Sequence, residues 1–322
     1  MSARPPSPAS LVDSQAAPRA PDSRRIRVPG STSNLGPGFD LLGLAFDLWL
    51  VVEVRPRRAG GPRIAHLGGE ALAWPTDGDN LLLRAFDATL ESLGGDGAAF
   101  EFAVESEIPV SRGLGSSGAA VVAGLELACS IAGASLSAPE RLRRAVEFEG
   151  HPDNVSPALL GGCVLAAPMP DAAPLVVRQA LHPSLAFSVA WPAATLPTQL
   201  ARSLLPASVP FADARENPRR LALLLEGLRS GDPELLGAGG EDRLHARYRL
   251  PHIPGGAEAL EAARSAGAWL ATISGSGSAL VALSSHGSAP QVAAAMRAAF
   301  ERASGPAGGR VVNVVHTAAR VE

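Results

Sequence analysis

The segment Pro109-Val110-Ser111-Arg112-Gly113-Leu114-Gly115-Ser116-Ser117-Gly118-Ala119 joins two patterns of different period. Before it, Phe100, Phe102 and Val104 alternate with polar or small residues, which predicts a strand. After it, Ser116–Ala132 is a run of small and apolar residues ending at Gly133, which predicts a helix. Gly113, Gly115 and Gly118 let the intervening backbone take positive φ and come close to a ligand. A helix starting here presents unpaired N–H groups and the positive end of its dipole, an arrangement suited to a triphosphate. Ser116 and Ser117 add hydroxyls for phosphate oxygens or Mg²⁺. Without its flanks the segment also reads as a strand-to-helix turn with serine caps.

Outward from this loop the patterns alternate in both directions. Met1 to about Ser23 is rich in Pro, Ala and Ser without an apolar period, so residues 1–24 are expected to form a disordered extension. Leu48–Arg55 predicts a strand, and Asn80–Leu93 a helix capped by Asp79 and stopped at Gly94-Gly95. Ser137 and Pro139 open a further helix that runs to about Glu149. After Gly161-Gly162 the pattern restarts. Helices are expected at Pro218–Leu228, Gly256–Ser265 and Ala289–Ala303. Strands are expected at Leu185–Trp191, Ala268–Ile273, Ala279–Leu283 and Arg310–Val315. Mixed elements in both halves imply an α+β protein divided at about residues 25–166 and 167–322, with no internal repeat.

Composition removes several functions. With 46% hydrophobic and 18% charged residues the chain can bury a sizeable core, and its net charge of −3 offers no attraction to nucleic acid or an anionic membrane. No apolar run approaches the ~20 residues of a membrane span. Cys129 and Cys163 lie in apolar stretches and read as buried free thiols, which fits a reducing, cytoplasmic setting. The sequence contains no lysine. That excludes a Walker-type phosphate loop and any Schiff-base or lysine general-base mechanism. No G-x-G-x-x-G follows an early strand with an acid about 20 residues on, which disfavours a Rossmann oxidoreductase.

The 109–119 loop resembles the nucleotide loop of the GHMP kinases, the family of galactokinase, homoserine kinase, mevalonate kinase and phosphomevalonate kinase. Two further segments resemble the homoserine kinase branch: Val28-Pro-Gly-Ser-Thr-Ser-Asn-Leu-Gly-Pro-Gly-Phe-Asp-Leu-Leu-Gly43 and Gly150-His-Pro-Asp-Asn-Val-Ser-Pro-Ala-Leu-Leu-Gly-Gly162. Ile273-Ser-Gly-Ser-Gly-Ser-Ala-Leu280 is similar to the family's C-terminal glycine motif. The resemblance spans about Ile26 to the C-terminus, in the family's motif order. Gly30, Gly118, Ser156 and Ser278 depart from the usual residues without removing a functional group. It implies a two-domain fold, an N-terminal domain like ribosomal protein S5 domain 2 and a ferredoxin-like C-terminal domain, with the active site between them.

The same resemblance implies roles. Asn80 and Pro109 to Ala119 would hold ATP. Asn34, Asp40, Asp153 and Asn154 would serve catalysis. Asn34, Asp40, His151, Asn154, Thr198, Arg202, Arg249 and Gly275 would hold a substrate with amino, carboxylate and hydroxyl groups, L-homoserine. Arg202 lies in a T-x-x-x-R segment and Arg249 in Leu244-His-Ala-Arg-Tyr-Arg249, and a planar guanidinium fits a carboxylate with two parallel hydrogen bonds. Mg²⁺ would be held by Ser116 or Ser117 with Glu147, Glu149 being the rival. Whether Asp153 is a general base stays open. The alternatives are another kinase of the family, such as a mevalonate-type enzyme with no use for an amino-acid clamp, or a non-catalytic sensor. A homodimer is a further expectation from the family.

Overall fold

The computed structural model describes residues 23–322 other than Asp77 and Asp171; residues 1–22 of the expected extension lie outside the described residues. The first half runs β1 (Arg24–Asn34), β2 (Gly38–Pro56), β3 (Ile64–Gly69), α1 (Leu81–Ser92) and β4 (Phe100–Ser106). It continues through α2 (Ser116–Ala132), α3 (Ala138–Glu149), α4 (Pro152–Leu160), β5 (Cys163–Met169) and β6 (Ala172–Gln179). The second half begins with β7 (Leu185–Pro192), α5 (Thr198–Ser203), α6 (Phe211–Ser230), α7 (Pro233–Gly239) and α8 (Ala246–Arg249). It ends with α9 (Gly256–Ser265), β8 (Leu270–Ile273), β9 (Leu280–Ser285), α10 (Ala289–Ser304), β10 (Ala307–Val312) and β11 (Arg320–Val321).

The first sheet has the order β11-β1-β2-β4-β3. Its organiser is β2, long enough at 19 residues to pair with β5 through Leu42–Leu44 and with β4 through Leu50–Pro56. β6 then extends β5, so this sheet runs past residue 166, and β11 returns to it from the far end of the chain. Apart from Glu126, α2 carries apolar or small residues all round, which is the composition of a helix buried on every side. It accordingly packs between β1, α1 and α4, with Val121, Val122, Leu125 and Leu127 fully buried.

The second sheet is antiparallel throughout, in the order β10-β7-β9-β8. Read as first, second, third and fourth strand, that is 4-1-3-2, with α9 after the first strand and α10 after the third: the expected ferredoxin-like arrangement. Its own core joins Ile273 and Leu280 to Leu260, Val292, Met296 and Phe300.

Two expectations of detail are corrected. Asn80, not Asp79, caps α1: its Oδ1 accepts from the N–H groups of Leu82 and Leu83 at 3.0 and 3.3 Å. α6 starts at Phe211 rather than Pro218, which lies inside the helix. The preceding residue holds that turn in place. Buried Asn217 donates to the Pro37 carbonyl at 3.3 Å and accepts from the Arg243 N–H at 2.9 Å. Cys129 and Cys163 are both free and buried, and burial pushes the Cys163 thiol up to about 12. No helix among the described residues is long and apolar enough to cross a membrane.

Candidate active site

The 109–115 loop leaves β4, crosses in front of the second sheet and enters α2 at Gly115. Gly113 and Gly115 take φ of +73° and +78°, and nothing larger fits at either position. A Cβ on Gly113 would lie 2.1 Å from the Ser274 carbonyl oxygen, and one on Gly115 would lie 2.2 Å from Ser31 Oγ. The loop is thereby pinned to two distant motifs. Ser274 Oγ lies 2.7 Å from the Gly113 carbonyl oxygen and 2.8 Å from Thr32 Oγ1, and the Ala279 N–H donates to Arg112 O at 2.9 Å. The Ser31 N–H donates to Leu114 O at 3.1 Å, while Ser31 Oγ donates to Asn154 Oδ1 at 3.2 Å.

A cleft of about 240 Å³ opens beside the loop. Its lining includes Trp74, Pro75, Asn80, Leu81 and residues Pro109 to Ser117. It also includes Asn34, Asp40, Glu149, His151, Asp153, Asn154, Thr198, Arg202 and Arg249. The structure thus brings nearly all of the expected site residues into one cavity. Gly118 and Ala119 follow inside α2, behind the lining. Gly275 contributes its backbone: its carbonyl oxygen accepts from Asn34 Nδ2 at 2.6 Å and from Arg249 Nη1 at 3.4 Å.

Charge is paired among the polar residues of this lining. Arg202 donates to both oxygens of Asp40 at 3.0 and 3.2 Å, and the Asp40 N–H donates to Asn34 Oδ1 at 2.9 Å. Arg249 is almost fully buried, its Nε donating to Ala201 O at 3.2 Å. Burial lowers its pKa, but a guanidinium remains charged. His151 Nδ1 lies 2.9 Å from Asp153 Oδ1. Burial works against the charged ring, yet the Asp153 hydrogen bond and the charges of Asp153 and Glu149 outweigh it and raise the His151 pKa. Thr198 Oγ1 meets Ser276 Oγ at 3.4 Å across the mouth of the cleft.

The two glutamates of α3 separate. Glu147 pairs with Arg143 on the outer face of the helix, with 57% of its side chain exposed. Glu149 lines the cleft and accepts a hydrogen bond from Ser117 Oγ at 2.7 Å. Two residues span about 200° of an α-helix, so both cannot face the α2 N-terminus. The expectation of Glu147 beside the loop is therefore corrected to Glu149. Burial raises the Glu149 pKa, and the Ser117 hydroxyl opposes that shift.

Trp74, Pro75, Leu81 and Ala120 line the cleft without belonging to any motif recognised in the sequence. Only the fold, which lays the segment before α1 over the loop, reveals them.

Comparison with known proteins agrees with this geometry. A family model described as "GHMP kinases N terminal domain" matches residues 80–162, and one described as "GHMP kinases C terminal" matches residues 224–302. Over 278 residues the chain is 42% identical to the homoserine kinase of Moorella thermoacetica, spanning 86% of this chain and 92% of that protein. The chain belongs to the GHMP kinase family. The fold of this GHMP kinase is similar to the crystal structure of homoserine kinase from Cytophaga hutchinsonii, with a TM-score of 0.83 and 29% identity over 95% of this chain and 99% of that one. It also resembles L. major mevalonate kinase in complex with R-mevalonate, with a TM-score of 0.70 and coverage of 91% and 96%. At 16% identity that likeness concerns the fold alone.

Proposed function

We propose that this GHMP kinase transfers the γ-phosphate of ATP to the hydroxyl of L-homoserine, giving O-phospho-L-homoserine on the route to threonine in the cytoplasm. One observation carries the reading: two guanidiniums, Arg202 and Arg249, share a cleft with the Asp40 carboxylate and with the Gly113–Ser117 loop. A substrate with a carboxylate, an ammonium and a hydroxyl matches that set group for group. The named homoserine kinases to which the chain is similar support it.

Phosphoryl transfer depends chiefly on positioning and charge neutralisation. Loop amides and the α2 dipole would hold the phosphates, while Trp74, Pro75 and Leu81 give the base an apolar wall. Arg202 and Arg249 would take the carboxylate and Asp40 the ammonium. Asn34, His151 and Asn154 would aim the hydroxyl at the γ-phosphorus. Asp153 Oδ1 is already occupied by His151 Nδ1 at 2.9 Å. We therefore assign Asp153 to orienting His151 rather than to proton abstraction.

Mg²⁺ wants hard oxygen donors, typically one or two carboxylates with phosphate and water. Ser117 and Glu149, in contact beside the loop, fit that demand and would hold the ion, which when bound neutralises charge on the phosphates.

A mevalonate-type substrate has no ammonium for Asp40, and a non-catalytic sensor has no use for Glu149 beside Ser117. The test is a coupled ADP-release assay with homoserine, serine, threonine and mevalonate. ADP release that requires homoserine is expected; turnover with mevalonate and none with homoserine would retire the assignment.

A further inference from the structure

One histidine behind the cleft has no part in the transfer described above. His245 is fully buried, in the segment Leu244–Arg249 that also carries Arg249. Its Nε2 lies 3.0 Å from the Gly36 carbonyl oxygen and its Nδ1 lies 3.3 Å from Arg249 Nη1. A carbonyl oxygen only accepts and a guanidinium only donates. Both contacts are met together by a single species, the neutral ring with its proton on Nε2.

What the ring joins gives it significance. Gly36 lies in the turn between β1 and β2, flanked by Asn34 and Asp40. His245 stacks on Phe39 at the start of β2, with centroids 4.9 Å apart and planes at 21°. The Arg249 guanidinium lies over the same Phe39 ring at 5.2 Å. The histidine is itself fixed from behind, because Asp242 Oδ2 accepts from the N–H groups of Leu244, His245 and Ala246 at 3.1, 2.7 and 2.7 Å. Arg249 Nε and Nη1 are both occupied by these and neighbouring acceptors, and Nη2 makes no protein hydrogen bond among the described residues.

We propose that His245 is a positioning residue for the amino-acid end of the substrate: it bridges the turn between Asn34 and Asp40 to the guanidinium of Arg249, fixing the spacing between anion and cation. The proposal rests on the reading of Arg249 as a carboxylate clamp. None of its hydrogen-bond or ring partners belongs to the phosphate loop, so its effect is confined to the amino acid.

The experiment is steady-state kinetics of the full-length enzyme, varying homoserine and ATP separately. His245→Phe keeps a ring on Phe39 and deletes both hydrogen bonds; His245→Gln retains one donor and one acceptor. His245→Phe is expected to raise KM for homoserine at least tenfold, with KM for ATP within twofold and kcat within threefold. His245→Gln is expected to recover most of that loss. In an Arg249→Lys background, where the guanidinium that the bridge positions is absent, His245→Phe is expected to change KM less than threefold. A wild-type KM in His245→Phe overturns the proposal. So do parallel losses for both substrates, which mark a merely structural role, and full additivity with Arg249→Lys. Should His245→Phe fail to fold, His245→Asn, which is too short to reach Gly36, takes its place: at least a threefold rise in KM for homoserine with ATP unchanged is expected, and a wild-type KM overturns the proposal. A wild-type enzyme without homoserine turnover overturns the underlying function and this inference with it. Wild-type turnover with an insensitive His245→Phe overturns the inference alone.

Discussion

Replacing Gly113 by alanine tests the phosphate loop at its tightest point. The new Cβ would sit 2.1 Å from the Ser274 carbonyl oxygen and 2.9 Å from the Gly277 nitrogen, both of them backbone. Gly113 also has φ of +73°, a conformation that costs an L-residue about 1–2 kcal/mol. Overpacking against rigid neighbours adds about 1–3 kcal/mol, for a total of about 2–5 kcal/mol. The atoms it would strike belong to the turn between β8 and β9, which is held by its own sheet, so the loop is the side that yields. Displacing it breaks the Ser274–Gly113 bond of 2.7 Å and turns the loop amides away from the phosphates. At about 1.4 kcal/mol per tenfold, the lower bound corresponds to a roughly 30-fold weaker Kd for ATP. Titration calorimetry with a non-hydrolysable ATP analogue reads this directly, beside a thermal melt. Gly133→Ala is the control: its φ is +63°, but an added Cβ meets nothing within 4 Å. It is expected to lose about 1 kcal/mol of stability and no nucleotide affinity. A folded Gly113→Ala protein with Kd for ATP within twofold of wild type would refute the loop's assigned role.

Glu149→Gln is expected to lower turnover at least 100-fold and weaken its dependence on Mg²⁺, whereas Glu147→Gln stays within twofold. Because the folded state holds the Glu149 pKa above its ordinary value, the wild type loses stability as pH rises through the folded pKa. Glu149→Gln should therefore melt at a higher temperature than the wild type at neutral pH, a difference that shrinks as the pH is lowered. Asp153→Asn is expected to lower kcat while leaving ATP affinity intact, and an NMR titration should show the His151 pKa falling. The raised His151 pKa stabilises the wild-type fold below the ordinary histidine range, and that contribution is lost as pH rises through the folded value; the variant should show a smaller loss in pH-dependent melts. Ser274→Ala, which leaves the Thr32 hydroxyl and the Gly113 carbonyl without their shared partner, should cost about 1–3 kcal/mol in denaturant unfolding and raise KM for ATP.

The elements that sequence patterns located best are those whose signals are local. α2 spans Ser116–Ala132 as its composition predicted, because a strand, a glycine loop and a helix stop all lie within the segment. The β2 strand was only half legible. Its last eight or so residues form a dense apolar run of strand type, but Gly38–Asp47 acquires its strand partners from β1 and from β5, which follows more than a hundred residues later. Local chemistry also misled at Pro218, where a proline that ordinarily opens a helix is tolerated inside one. In the site, motif residues such as Asn34 and Arg202 could be named in advance, because they lie in segments that resemble the family's motifs. Helix phase could not be named. Choosing between Glu147 and Glu149 requires knowing which face of α3 meets α2, a fact of packing. Trp74 and His245 were hidden for the same reason, each reaching the cleft or its wall through contacts far apart in sequence.

The most direct test of the central claim is a ³¹P NMR spectrum of the enzyme with ATP, Mg²⁺ and L-homoserine. A new phosphomonoester signal split by an adjacent methylene, growing in step with ADP, is the predicted result. Inorganic phosphate as the only new signal, or ATP left unconsumed, would contradict it.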